Sequence, residues 1–125
     1  MMSKYAWPPE IDIFEISGLR PNRVSMTNHF GNRNGNEKQT SGAFNGSDFS
    51  NNFHKFALEW DPKKIMWYVD EIKVFETDYG IPDLKMFLVL SVSLGGGKFS
   101  GKVDNTTPLP STTDVDYIRV YKQRK

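Results

Sequence analysis

Trp7-Pro8-Pro9-Glu10-Ile11-Asp12-Ile13-Phe14-Glu15 is the stretch on which the fold and chemistry of this chain turn. Side chains alternate between the two faces of a β-strand, so Glu10 and Asp12 share one face while Ile11 and Ile13 share the other. Glu15 stands five residues after Glu10, and regular pleating would turn it toward the apolar side. One extra residue, a β-bulge at Ile13-Phe14, returns it to the acidic face. Bulges occur beside active sites because they re-aim a side chain in this way. The stretch then reads as a strand with one face for a core and one face carrying three carboxylates.

Outward from this strand, apolar and aromatic residues fall in short runs between turn signals, and no sustained 3.6-residue stripe is present. Val24-Ser25-Met26-Thr27-Asn28-His29 alternates after the turn-like Arg20-Pro21-Asn22. Phe56-Ala57-Leu58-Glu59-Trp60 stops at Asp61-Pro62, where proline presets the turn angle. Ile65 to Val69 and Ile72 to Phe75 form a hairpin pattern around Asp70-Glu71, without the glycine that a type I′ turn prefers. Met86 to Leu94 is a nearly continuous apolar run before Gly95-Gly96-Gly97, and Val115 to Tyr121 alternates again. The pattern predicts seven strands and no helix, hence an all-β sandwich. Thirteen of the twenty-two residues 31–52 are Asn, Gly or Ser, which predicts a long surface loop.

The chain has 125 residues, enough for one domain, 1–125. Sixteen Lys and Arg against fifteen Asp and Glu leave a charge of +1, without the basic excess of a protein that neutralises nucleic-acid phosphates. The longest apolar run is too short to cross a bilayer as a helix. Without cysteine there is no disulfide framework, thiol nucleophile or Cys-ligated zinc. The opening Met1-Met2-Ser3-Lys4-Tyr5 has no apolar segment of the secretory kind. Neither cysteine nor a His pair at ligand spacing is available for a catalytic metal, so no cofactor is expected in catalysis.

A row of three carboxylates suits glycoside hydrolysis. Two inward-leaning glutamates can bring their carboxyl groups to about 5–5.5 Å, the separation of a retaining pair, one as nucleophile and one as acid and then base. A third acid between them helps hold a proton on its neighbour by like-charge repulsion. The competing reading is a half-exposed strand with solvated acids, and spacing alone leaves the two open.

The wider sequence adds to this. Trp7 to Glu15 resembles the active-site signature of glycoside hydrolase family 16 in its bulged E-x-D-x-x-E form, typical of the laminarinase-like branch. Pro21 to Gly31, Phe53 to Asp70, Phe87 to Gly101 and Val115 to Tyr121 are similar, in order, to later blocks of that family. Glu71 stands where glycine is usual, Ser91 where asparagine is frequent, and Lys98-Phe99-Ser100 where many members carry a tryptophan turn. The resemblance implies a β-jelly roll (concanavalin A-like) with Glu10 as nucleophile, Asp12 as assisting acid and Glu15 as general acid/base. It implies a polysaccharide substrate, β-1,3-glucan of the laminarin type first, and an extracellular location. Trp7 is the candidate cleft wall, because aromatic rings stack on sugar faces. His29 is the candidate for a hydrogen bond to sugar, and Phe99 for the missing tryptophan's stacking. Trp60 and Trp67 are expected in the core and His54 in a structural role. Asp116 corresponds to a family ligand of a structural calcium.

In the family the catalytic strand lies mid-domain, whereas here it begins at residue 10. Met1 to Ala6 reads as the tail of the preceding strand. The expectation is therefore the C-terminal half of a jelly roll, truncated at the N-terminus and open to completion by another copy as a homo-oligomer. A non-catalytic glycan-binding module and an inactive fragment are the alternatives.

Overall fold

The structure is a computed structural model that describes Met1, residues 7–32 and residues 34–122. The strand tail expected at Met1 to Ala6 lies, beyond Met1, outside the described residues. Two compact units are present, Met1–Ser91 and Val92–Lys125.

The first unit carries six strands: β1 (Glu10–Ile16), β2 (Arg23–Phe30), β3 (Lys38–Asn45), β4 (Phe56–Trp60), β5 (Ile65–Val69) and β6 (Ile72–Thr77). They form two antiparallel three-stranded sheets, β1-β2-β3 and β4-β5-β6. No helix occurs among the described residues, so the all-β expectation holds. The sheets meet at a core in which Ile11, Val24 and Met26 of the first face Ile65 and Trp67 of the second. All five are fully buried, and each contributes roughly 1.5–3 kcal/mol of transfer free energy. Phe44, Phe56, Leu58, Trp60 and Phe75 pack around them.

Residues 31–52 are not one loop. Lys38–Asn45 is a strand that pairs with β2 along its full length, from Phe30↔Lys38 to Arg23↔Asn45. Its inward positions are Thr40, Gly42 and Phe44. A Cβ on Gly42 would sit 2.5 Å from Cγ of Phe75, so this glycine marks close sheet-to-sheet approach, not a turn. The open edge of β2, whose backbone groups need partners, organises a segment whose composition reads as loop.

The Asp70-Glu71 turn adopts φ of 48° and 71°, the left-handed pair that a type I′ hairpin requires, without glycine. Side chains hold it in place. The Lys55 amide donates to Asp70 Oδ1 at 2.9 Å, His54 Nδ1 lies 2.7 Å from Asp70 Oδ2, and Lys55 Nζ donates to Glu71 Oε1 at 2.5 Å.

Two expected strands are not formed. Apart from a bridge residue at Phe87, residues 86–94 are irregular, and so are 115–121. Apart from Met86, which packs against the core, their apolar side chains are substantially exposed. A strand persists only where a neighbour takes up its backbone hydrogen bonds, and within these two segments only Phe87 forms a described bridge. Within the second unit, Gly97 and Gly101 form an isolated antiparallel bridge, and Asp104 closes a turn onto Thr106.

Candidate active site

The bulge lies where the sequence predicts it. β1 pairs β2 as Glu10↔His29, Ile11↔Asn28 and Asp12↔Thr27, then resumes at Glu15↔Ser25 and Ile16↔Val24. Two residues, Ile13 and Phe14, thus stand opposite the one position of Met26. Ile11 and Ile16 fall on the core face although five residues separate them, and Glu10, Asp12 and Glu15 fall together on the other. Phe14 is held by stacking on Phe56 of β4, with centroids 4.4 Å apart.

The acids have distinct surroundings. Trp7 donates its indole N–H to Glu10 Oε2 at 2.5 Å, and its ring lies 5.8 Å from that of His29. The Trp7 ring is partly exposed beside the acids, where a cleft wall would stand. His29 Nε2 lies 3.1 Å from Asp12 Oδ2, with side chains 23% and 17% exposed. On the far side of the strand the Trp67 indole donates to the backbone carbonyl of Asp12 at 2.9 Å. Partial burial pushes the Asp12 carboxyl above its ordinary value and the Glu10 charge pushes it further, while the charge and hydrogen bond of His29 pull the other way. Glu15 keeps an open side to solvent. Its carboxyl is also raised, first by partial burial and then by the Asp12 charge, with Glu10 adding and His29 opposing. Like-charge repulsion from Asp12 therefore acts as expected but ranks behind desolvation.

Trp7, Glu10, Asp12 and His29 are thus brought together by direct contacts, with Glu15 on the same face. His29 contacts Asp12 itself, a contact that the register Glu10↔His29 reveals only once strands are paired. Phe99 and Asp116 belong to the second unit, where both are exposed. Calcium takes six to eight oxygen ligands. Among the described residues no three Asp, Glu or His side chains converge in a way that could hold a metal. Among the described residues Asp116 is therefore not part of such a cluster. Trp60 donates to the Pro82 carbonyl at 3.1 Å from a half-buried position, and His54 braces the Asp70 turn.

This arrangement fits what known proteins show. The model of the glycosyl hydrolases family 16 matches residues 1–117. The chain belongs to that family. The family's β-jelly roll accounts for the two antiparallel sheets, and its signature for the bulged acidic strand. Among relatives, the chain is 31% identical to the glucan endo-1,3-beta-glucosidase A1 of Niallia circulans, covering 92% of this chain and 19% of that protein. It is 30% identical to a glucan endo-1,3-beta-glucosidase of Cryptopygus antarcticus, covering 90% and 50%, and 29% identical to a beta-glucanase of Rhodothermus marinus, covering 93% and 46%. A solved structure from work on endo-acting O-glycanases of human gut microbiota aligns with TM-score 0.54 at 28% identity, over 62% of this chain and 29% of the other. The chain therefore spans half or less of the length of each of these proteins.

Proposed function

We propose that this chain carries the catalytic strand of a retaining endo-glycosidase acting on a β-linked glucan, with β-1,3-glucan as the first substrate. The observation that carries the reading is the bulge between Asp12 and Glu15, which sets all three carboxylates on one face. A strand that merely solvated its acids would need no such break. Glu10, steadied by the Trp7 indole, attacks the anomeric carbon. Glu15, whose carboxyl holds its proton above the ordinary range, protonates the leaving oxygen and later takes a proton from the incoming water. Asp12 supplies the negative charge beside Glu15, and His29 keeps Asp12 oriented. Trp7 offers a ring face against which a sugar can stack. The names of the relatives, glucan endo-1,3-beta-glucosidase and beta-glucanase, support the choice of glucan.

The test is reducing sugar released from laminarin by the purified chain. Glu10→Gln should lower the rate on the order of 10³-fold or more, as loss of a nucleophile does. Absence of release from laminarin and lichenan by the unmodified chain would overturn the reading. Laminarin binding without turnover, unchanged in Glu10→Gln, would instead assign a glycan-binding module.

A further inference from the structure

The first sheet's register breaks between Asp12 and Glu15. The second sheet has a break of its own. β5 pairs β6 as Trp67↔Phe75 and then Tyr68↔Lys73, leaving Val74 as the extra residue. The two breaks are joined by one hydrogen bond, from Nε1 of the fully buried Trp67 to the carbonyl of Asp12 at 2.9 Å. Trp67 stands on the central strand of its sheet, with its ring 4.9 Å from that of Phe75, which in turn fills the space over Gly42 of β3. An indole N–H in a core needs an acceptor, and here the acceptor lies at the edge of the bulge that sets the acids.

We propose that Trp67 is a positioning residue for the acid row: its indole pins the Asp12 carbonyl, and so holds the bulge that spaces Asp12 from Glu15. The proposal rests on the hydrolase reading for its kinetic consequence but not for its geometry. Bulges are locally soft, since the ladder is interrupted there. Phe14, stacked on Phe56 of β4, and Trp67 of β5 both tie this one to the second sheet. A chemical step whose groups must sit within a fraction of an ångström depends on such a tether. Trp67 does not touch substrate; it acts through Asp12.

Trp67→Phe keeps an aromatic ring in the core and removes the N–H. On laminarin, kcat should fall about tenfold with KM held within about twofold, the signature of misplacement rather than lost binding. The ionisable neighbours facing Glu15 are Asp12 and Glu10 on its own strand and His29 on β2, with the Met1 amine beside Asp12. If the bulge relaxes and Asp12 moves away, its repulsion weakens and the alkaline limb of the kcat profile moves to lower pH. Phe75→Leu loosens the same packing but leaves the N–H, and should leave the limb in place. Equal behaviour of the two variants would overturn the proposal.

Carboxyl-carbon NMR separates this idea from the hydrolase reading. Glu15 should titrate at lower pH in Trp67→Phe even if the unmodified chain releases no sugar, in which case the tether stands and the hydrolase reading falls. Hydrolysis with an unmoved Glu15 titration would sink the tether alone. Should Trp67→Phe fail to fold, the Trp67 indole signal in the unmodified chain decides: it should resist exchange and shift as Asp12 and Glu15 titrate, and a rapidly exchanging, pH-independent signal would refute the proposal.

Discussion

Asn28→Asp replaces one atom and should convert a stable core into a pH-dependent one. Asn28 is fully buried on β2, beside Ile11 in register and one residue before His29. Its Nδ2 donates to the carbonyls of Tyr79 and Gly80, both at 3.1 Å, while Oδ1 has no partner. The amide thus ties the chain leaving β6 to the strand behind the acid row. An aspartate here would meet two carbonyl oxygens and no donor, so it stays protonated in the fold and satisfies at most one of them. The orphaned carbonyl costs about 1–3 kcal/mol at any pH. Keeping the acid neutral at pH 7 costs about 1.36 × (7 − 3.9), or roughly 4 kcal/mol more. The sign follows from proton counts. The folded state binds the extra proton, so its stability is fully present below the unfolded value near ~3.9 and falls as pH rises above it. A small domain has only about 5–15 kcal/mol in total. Near pH 4 the variant should therefore melt modestly below the parent, and at pH 7 it should be close to unfolded. Circular-dichroism melts of both proteins at the two pH values measure this, the parent's own pH dependence being subtracted. A melting deficit equal at pH 4 and pH 7 would show that the carboxylate reaches water, and would refute the burial argument.

Two further outcomes follow from local geometry. Glu15→Gln removes an acid whose folded carboxyl is raised by burial and by Asp12; such a group withdraws stability as pH climbs above 4.5, its ordinary value. The melting temperature at pH 7 relative to pH 4 should therefore be higher in the variant than in the parent, and a lower one would contradict the raised carboxyl. Glu71→Gly relieves a non-glycine residue at φ 71° and sacrifices only a surface ion pair. Its melting temperature should rise by a few degrees, and a fall would mean that the Lys55 pair outweighs the backbone.

Local alternation and turn chemistry were enough to recover β1, β2, β4, β5 and β6, because each pattern is written in the strand's own residues. The same holds for the bulge. Glu10 and Glu15 can share a face only if one residue is inserted, and that parity is a property of the sequence. The acidic triplet, the family and the all-β class were legible for this reason. The contacts of the acids were not. His29 meets Asp12 only because β1 and β2 pair in register, and Trp67 reaches the Asp12 carbonyl across 55 positions only because the two sheets pack face to face. Trp67 and Asn28 look like ordinary core or strand residues until their polar atoms are given partners.

Pairing also decided where composition misled. Lys38–Asn45, rich in polar residues, is a strand because β2 offers it an edge, while the apolar segments 86–94 and 115–121, for all their pattern, form no strand among the described residues. Side-chain pattern is local and can be read along the chain, so the sequence by itself determined which face carries the acids. A backbone hydrogen bond needs a second segment, so only the tertiary structure decided which segments became strands and what holds each acid in place.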